Sequence, residues 1–245
     1  MKPEFLPLPE HGRRFTQSRR VRLGDVNTAN RLRLDALACY LQDVASDDVD
    51  DVDLQGAWVL RRTALEINRL PRYGDEVELT TFCSGTGGRW AERRTTLAVN
   101  GVSVVDTVAI WVYVDRRGRP ARLEDWFFDH YGDAAGGRRV SGRLRLPPPS
   151  DGLTSRLWPL RTTDFDLLGH MNNAAYWEAV EDELARVAAG QAPTHAELEH
   201  RAAIEPDEPV ELRSTIEDEK ISLWLTVQGQ ARAAAHVSLR RAPDA

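Results

Sequence analysis

Between Arg161 and Tyr176 the chain reads Arg-Thr-Thr-Asp164-Phe-Asp166-Leu-Leu-Gly169-His170-Met-Asn172-Asn173-Ala-Ala-Tyr176. A carboxylate and an imidazole four residues apart, with a glycine between them, supply groups for acid–base or nucleophilic attack at a carbonyl. The run leads into an amphipathic stretch. A helix N-terminus there would present unsatisfied N–H groups and the positive end of a dipole to an oxygen gaining charge. A plainer reading is local shaping, with Asn172 or Asn173 as an N-cap and Asp166 closing a turn. Capping accounts for the asparagines but leaves the carboxylate, glycine and histidine ahead of them unexplained.

Other familiar chemistries lack their spacing. There is no G-x-S-x-G elbow and no H-E-x-x-H pair, which argues against an α/β serine hydrolase and a zincin. His195 and His200 are five apart and are not expected to ligate a metal; no metal or cofactor is expected. The acidic stretch Asp47 to Asp53 lacks the calcium-loop pattern and reads as a solvated loop that ends a helix. The glycines around Gly85 lack a phosphate-binding context and read as a turn. Cys39 and Cys83 are the only cysteines, a usage that suits a reducing compartment and a cytoplasmic protein with buried thiols. No apolar run approaches the length of a membrane span, so no membrane insertion is expected. The formal net charge of −6 argues against nucleic acid as the partner. Nearly all positive charge is arginine, in clusters such as Arg13 to Arg22 and Arg116 to Arg122 that read as solvated faces or docking points for an acidic partner.

The elements that must position the Asp166 run emerge from an internal repeat. Arg22-Leu-Gly-Asp25-Val-Asn matches Arg161-Thr-Thr-Asp164-Phe-Asp166 at an offset of 139. Leu65-Glu66 and Val77-Glu78-Leu79 match Leu198-Glu199 and Val210-Glu211-Leu212 at 133, and Leu97 to Gly101 matches Leu225 to Gly229 at 128. Each copy reads strand, helix, then several strands. In the first, Leu34, Leu37, Leu41 and Val44 carry helical spacing, followed by strands over 58–68, 76–83, 89–99 and 102–113, the last pair joined by Asn100-Gly101. In the second, the helix is expected over Asn172 to Ala189 and strands over 198–204, 210–216, 221–228 and 230–240. This is an α+β pattern, one helix against a curved antiparallel sheet, used twice. The expected boundaries are 1–122 and 156–245, with a connector over 123–155 in which Trp126-Phe-Phe128 packs on something.

The Asp166 run resembles the loop that leads into the central helix of hot-dog thioesterases. Trp58 to Arg62, Leu65-Glu-Ile67, Arg69 to Asp75, Arg93-Arg94 and Trp111-Val-Tyr113 resemble the N-terminal half of acyl-ACP thioesterases, tandem hot-dogs of plants and bacteria. The resemblance runs from about residue 15 to 240 and implies hydrolysis of a fatty-acyl thioester. It assigns Asp166, His170 and Asn172 to catalysis, Asp166 as base or nucleophile and His170 orienting substrate or water. Amides near Gly169 to Asn173 would then form an oxyanion hole. Trp58, Trp90, Trp111 and Tyr176 are assigned to substrate binding, with core packing as the alternative for the tryptophans. The chain departs from the family pattern at Leu168, where an asparagine is usual, and at Ala203, where an acidic residue is usual. Copy one carries Asn27 and Arg31 in place of Asp166 and His170 and is expected to be silent, its interior holding the acyl chain. The implied partner is acyl-carrier protein or coenzyme A, on a monomer that is itself a pseudo-dimer or on a homodimer. Rival readings are a hot-dog dehydratase, whose Asp-to-His spacing is one residue longer, and a non-catalytic acyl-binding protein.

Overall fold

Period-two alternation and Gly-containing turns lay out the strands of each copy. The computed structural model describes residues 3–52, 56–188 and 190–241. One unit comprises Met1–Leu32 with Cys39–Leu144, the other Arg33–Ala38 with Arg145–Ala245. In chain order the first copy gives β1 (Phe15–Arg20), α1 (Leu34–Asp50), β2 (Ala57–Ile67), β3 (Glu76–Thr86), β4 (Trp90–Val99), β5 (Val102–Val114) and α2 (Asp125–Ala135). Its strands pair antiparallel in the order β1-β3-β4-β5-β2.

The second copy gives β6 (Ser155–Leu157), α3 (Ala175–Val187), β7 (Gln191–His200), β8 (Val210–Glu217), β9 (Lys220–Val227) and β10 (Gln230–Arg241). These pair antiparallel in the equivalent order β6-β8-β9-β10-β7. The duplication extends to the turns. Asn100-Gly101 and Gln228-Gly229 both adopt positive φ, the conformation a two-residue hairpin turn demands.

Several expectations change. Helix α1 does not end at the acidic stretch but runs through it to Asp50. Asp48 is 1% exposed, where it accepts from Arg13 Nε at 2.8 Å, Arg93 at 2.7 Å and the Tyr131 hydroxyl at 3.0 Å. Three donors from distant parts of the unit thus keep a carboxylate buried in a helix that sequence alone marks for termination. Asp53, and Ala189 at the expected end of the second helix, lie outside the described residues. Strand β7 ends at His200, so the 201–204 segment expected as strand is loop, and His195 and His200 both lie within the strand.

The 123–155 connector contains α2, whose Phe127 and Tyr131 pack with Cys83 and Ala91 and against Trp58 and Trp126. Beyond it the chain is pinned twice. Arg138 donates to the buried Glu92 at 2.6 Å in the first unit. In the second, Glu199, fully buried, accepts from the amides of Arg145 and Leu146.

Two outcomes follow from this burial. Asp48→Ala strands its arginine partners and should cost about 3–5 kcal/mol, the usual cost of removing one partner of a buried pair, read as a fall in the urea midpoint. Burial pushes the Cys83 thiol up to about 11, whereas Cys39 is exposed. Iodoacetamide at pH 8 should therefore label Cys39 in the folded protein and reach Cys83 only after denaturation; equal labelling rates would contradict the packing.

Candidate functional site

The Asp166 run is a tight loop closed on itself. Phe165 and Met171 form an isolated antiparallel bridge, with the Asp166 amide donating to His170 O at 3.0 Å and the Asn172 amide to Asp164 O at 2.7 Å. At its tip Gly169 adopts φ +75°, a left-handed conformation that glycine takes without steric cost, and its amide donates to Asp166 O. Asp164, 2% exposed, receives the Arg161 amide at 2.8 Å and the Arg161 guanidinium at 2.9 Å, fixing the loop's entry.

Within the loop, Asp166 does two separable things. Its Oδ1 accepts the Leu168 amide at 2.8 Å, an Asx turn, while Oδ2 has no hydrogen-bond partner among the described residues. The turn-forming reading and the catalytic reading therefore coexist in one side chain. The imidazole of His170 does not hydrogen-bond Asp166; its Nε2 lies 3.5 Å from Glu205 Oε1. Glu205 carries no motif and was missed in the sequence. It follows Ile204, whose carbonyl accepts the Met171 amide at 3.0 Å and so brings the 201–208 loop against the Asp166 loop.

The remaining expected residues take more structural places. Asn172 closes the turn that leads into α3: its Oδ1 accepts the Ala174 amide at 2.9 Å and its carbonyl the Ala175 amide. The amides of Leu168, Gly169, Met171 and Asn172 all have protein acceptors in this structure. His170 is the one amide of 168–172 without an acceptor among the described residues. Asn173 stands two residues ahead of α3.

Tyr176 is a core residue, 3% exposed, with its ring edge-on to His200 at 4.8 Å. Burial holds its phenol well above the ordinary range, against the lowering effect of the Ile204 amide. Trp90 covers Gly142 and donates to Val140 O at 3.0 Å, so it pins the connector. Trp58 packs on Tyr113 and Phe127. Trp58 and Trp111 both have a buried indole N–H without an acceptor among the described residues. Of the two departures, Leu168 is 67% exposed at the turn and Ala203 is exposed in the loop.

A cleft of about 460 Å³ adjoins the loop, lined among others by Trp158, Leu160, Arg161, Phe165, Pro206 and Glu208. In the first unit the equivalent gap is closed, because Val21 exchanges hydrogen bonds with Asp75 and Gly74 at 2.9 and 3.1 Å. In the second, β6 stops at Leu157 before Pro159, and no such pair closes the gap among the described residues. Proline has no amide hydrogen to continue the ladder. The same loop recurs in copy one, with Val26 bridged to Leu32, Asn30 at φ +54° and Asn27 Oδ1 accepting the amides of Ala29 and Arg31 at 3.0 and 3.3 Å.

Models of the acyl-ACP thioesterase N-terminal and C-terminal domains match residues 12–131 and 150–240. The chain belongs to the acyl-ACP thioesterase family. An uncharacterised Mycobacterium tuberculosis protein is 28% identical over 231 residues, covering 93% of this chain and 92% of that protein. A chloroplastic acyl-[acyl-carrier-protein] hydrolase of Cuphea viscosissima is 22% identical, covering 71% of this chain and 48% of the hydrolase. Among solved structures, a Lactobacillus plantarum protein assigned as an oleoyl thioesterase superposes with TM-score 0.84 at 19% identity, covering 97% of this chain and all of that one (100%). The 12:0-ACP thioesterase of Umbellularia californica gives TM-score 0.82 at 18% identity over 95% and 99%. The fold is the tandem hot-dog of this family, an α+β architecture, and the family is one of thioester hydrolases. No described helix is long and apolar enough to cross a membrane.

The turn bond of Asn172 has a direct consequence. Asn172→Ala should lower stability by about 1 kcal/mol, the typical net worth of a lost hydrogen bond, and Asn172→Asp should recover most of it. Equal melting temperatures for wild type and the alanine variant would remove this bond from the account.

Proposed function

We propose that this chain hydrolyses fatty-acyl thioesters, with acyl-carrier protein as the carrier and free fatty acid as the product. The observation that carries this reading is the asymmetry between the two copies of one loop. Each needs a side-chain oxygen at the same place to close its turn, and Asp166 and Asn27 both supply it. Only Asp166 leaves a second oxygen able to take a proton or attack a carbonyl; the other atom of Asn27 is an amide nitrogen. Family membership of both halves, and the 22% identity to a hydrolase of acyl-carrier-protein thioesters, support the choice of carrier.

In this scheme the substrate carbonyl sits between Asp166 Oδ2 and the His170 amide. Asp166 removes a proton from water as it attacks, or attacks directly to form an anhydride that water then opens. The His170 N–H receives the developing oxyanion, and the imidazole orients the water or the leaving sulfur. Thioester and water give acid and thiol, so no redox partner or metal is called for. The open cleft beside the loop is the approach for the carrier's arm. Copy one, which has no carboxylate at its loop, is catalytically silent in this scheme.

Purified protein should release fatty acid from acyl-ACP, and more slowly from acyl-CoA, in a panel varying chain length. Asp166→Asn keeps the turn oxygen but loses the base, and should lower kcat by about 10²–10⁴, the range of acid–base contributions; Asn27→Asp, which also keeps its turn oxygen, should leave turnover within twofold. Binding of acyl-ACP without release of acid would instead favour a non-catalytic acyl-binding protein.

A further inference from the structure

We infer that Glu205 is a positioning residue that acts through His170, in a two-residue device present only in the copy that carries Asp166. The inference rests on the proposed hydrolysis and extends it to a residue that no motif marks.

The geometry begins with the loop that holds Glu205. The Met171 amide donates to Ile204 O at 3.0 Å, and in the first unit the Leu32 amide donates to Pro71 O at 2.7 Å in the same way. Counting one residue on from each acceptor pairs Glu205 with Arg72, and one residue back from each donor pairs His170 with Arg31. The two positions have changed together. One copy has an imidazole and a carboxylate 3.5 Å apart; the other has arginine at both places, together with Asn27 instead of Asp166. A residue kept only to satisfy the loop would have no reason to follow the catalytic position in this way.

The carboxylate is also held from behind. Glu205 opens a turn whose third residue, Asp207, adopts φ +67°. The Glu205 amide donates to Glu208 Oε2 at 2.9 Å, and Arg232 grips the other oxygen of Glu208 at 2.9 Å. The backbone under Glu205 is therefore fixed by a buttress reaching to β10. The side chains of His170 and Glu205 are 46% and 58% exposed. A contact that open to solvent contributes little to folding. Its use lies in orientation, since a carboxylate on one ring nitrogen fixes the ring and directs which nitrogen faces the reaction. With Ala203 offering no side-chain oxygen, Glu205 is the carboxylate that reaches the ring from this loop.

The test is a double-mutant cycle read in kcat and KM on the acyl-ACP substrate that wild type turns over best. Glu205→Gln should lower kcat by about tenfold with KM within twofold, and Glu205→Asp should restore part of it, as expected of an orienting carboxylate. Made on a His170→Ala background, Glu205→Gln should change kcat by less than about twofold, because a residue acting through another adds nothing once that residue is gone. The melting temperature of Glu205→Gln should stay within about 1 °C of wild type, as a surface pair implies. Equal losses in both backgrounds, or no loss in either, would overturn the inference. So would a fall in stability that accounts for the lost activity. Failure of wild type to hydrolyse any thioester would sink the proposed function instead, a result distinguishable from these.

Discussion

The turn closed by a side-chain oxygen at Asp166 and at Asn27 is the constraint on which the rest of each copy rests. A chain leaving an edge strand has to reverse within about five residues to start the helix, and the reversal leaves amides at its tip that need acceptors. The Asx oxygen takes one of them, and a residue with positive φ three positions on completes the bend. Aspartate and asparagine serve this geometry equally well. The fold therefore fixes a polar residue here in both copies and is indifferent to which one. In the proposed reaction chemistry enters through that indifference, since replacing one amide nitrogen by an oxygen gives a folding residue an atom able to take a proton without moving the backbone.

Buried charge holds the units to this plan in a way composition conceals. Arg13, from a cluster that reads as a solvated face, reaches inward to meet Arg93 on Asp48, and Arg94 binds Asp106 at 2.5 Å and the carbonyls of Thr95 and Thr107. On the second unit Arg156 and Arg186 converge on Glu183, itself without exposed surface. The planar fork of arginine satisfies several acceptors at once and tolerates burial better than lysine, which suits a chain with only two lysines. Such pairs add less to net stability than their number suggests. What they do is tie helices, connector and strands to particular partners.

Three of the four strands expected after α1 were legible to about a residue, because alternation and the Asn100-Gly101 turn are local signals, whereas β3 runs on to Thr86 through Gly85, which reads as a turn in the sequence. Copy two was harder at β7. Pro193 and the polar residues around it hide the strand's start, and the register slips there, with Ser238 facing His195 and Leu239 facing Pro193. A bulge accommodates a proline that a regular ladder would refuse. Helix α1 was read too short for a different reason. The partners that keep Asp48 helical and buried come from β4, α2 and the N-terminal arm, and no local pattern announces them. At the site, Asp166 and Gly169 were visible because spacing within one loop is local. Glu205 was not, because it meets His170 only after the sheet has folded.

The division between the copies also explains why the second loop tolerates Leu168. In a turn whose amide at 168 is already bound by Asp166 Oδ1, the side chain at that position points to solvent and is 67% exposed. An asparagine there would have no structural task, so the fold places no demand on the position. Ala203 is likewise exposed in the loop ahead of Ile204. Both departures therefore fall where the backbone does the positioning and the side chain is optional. The polar groups that remain, Asp166, His170 and Glu205, are those whose backbones are tied down by hydrogen bonds at their own or a neighbouring residue. A site reduced to its anchored residues is a smaller one, and each remaining group stands on a segment the hot-dog fold already has to build.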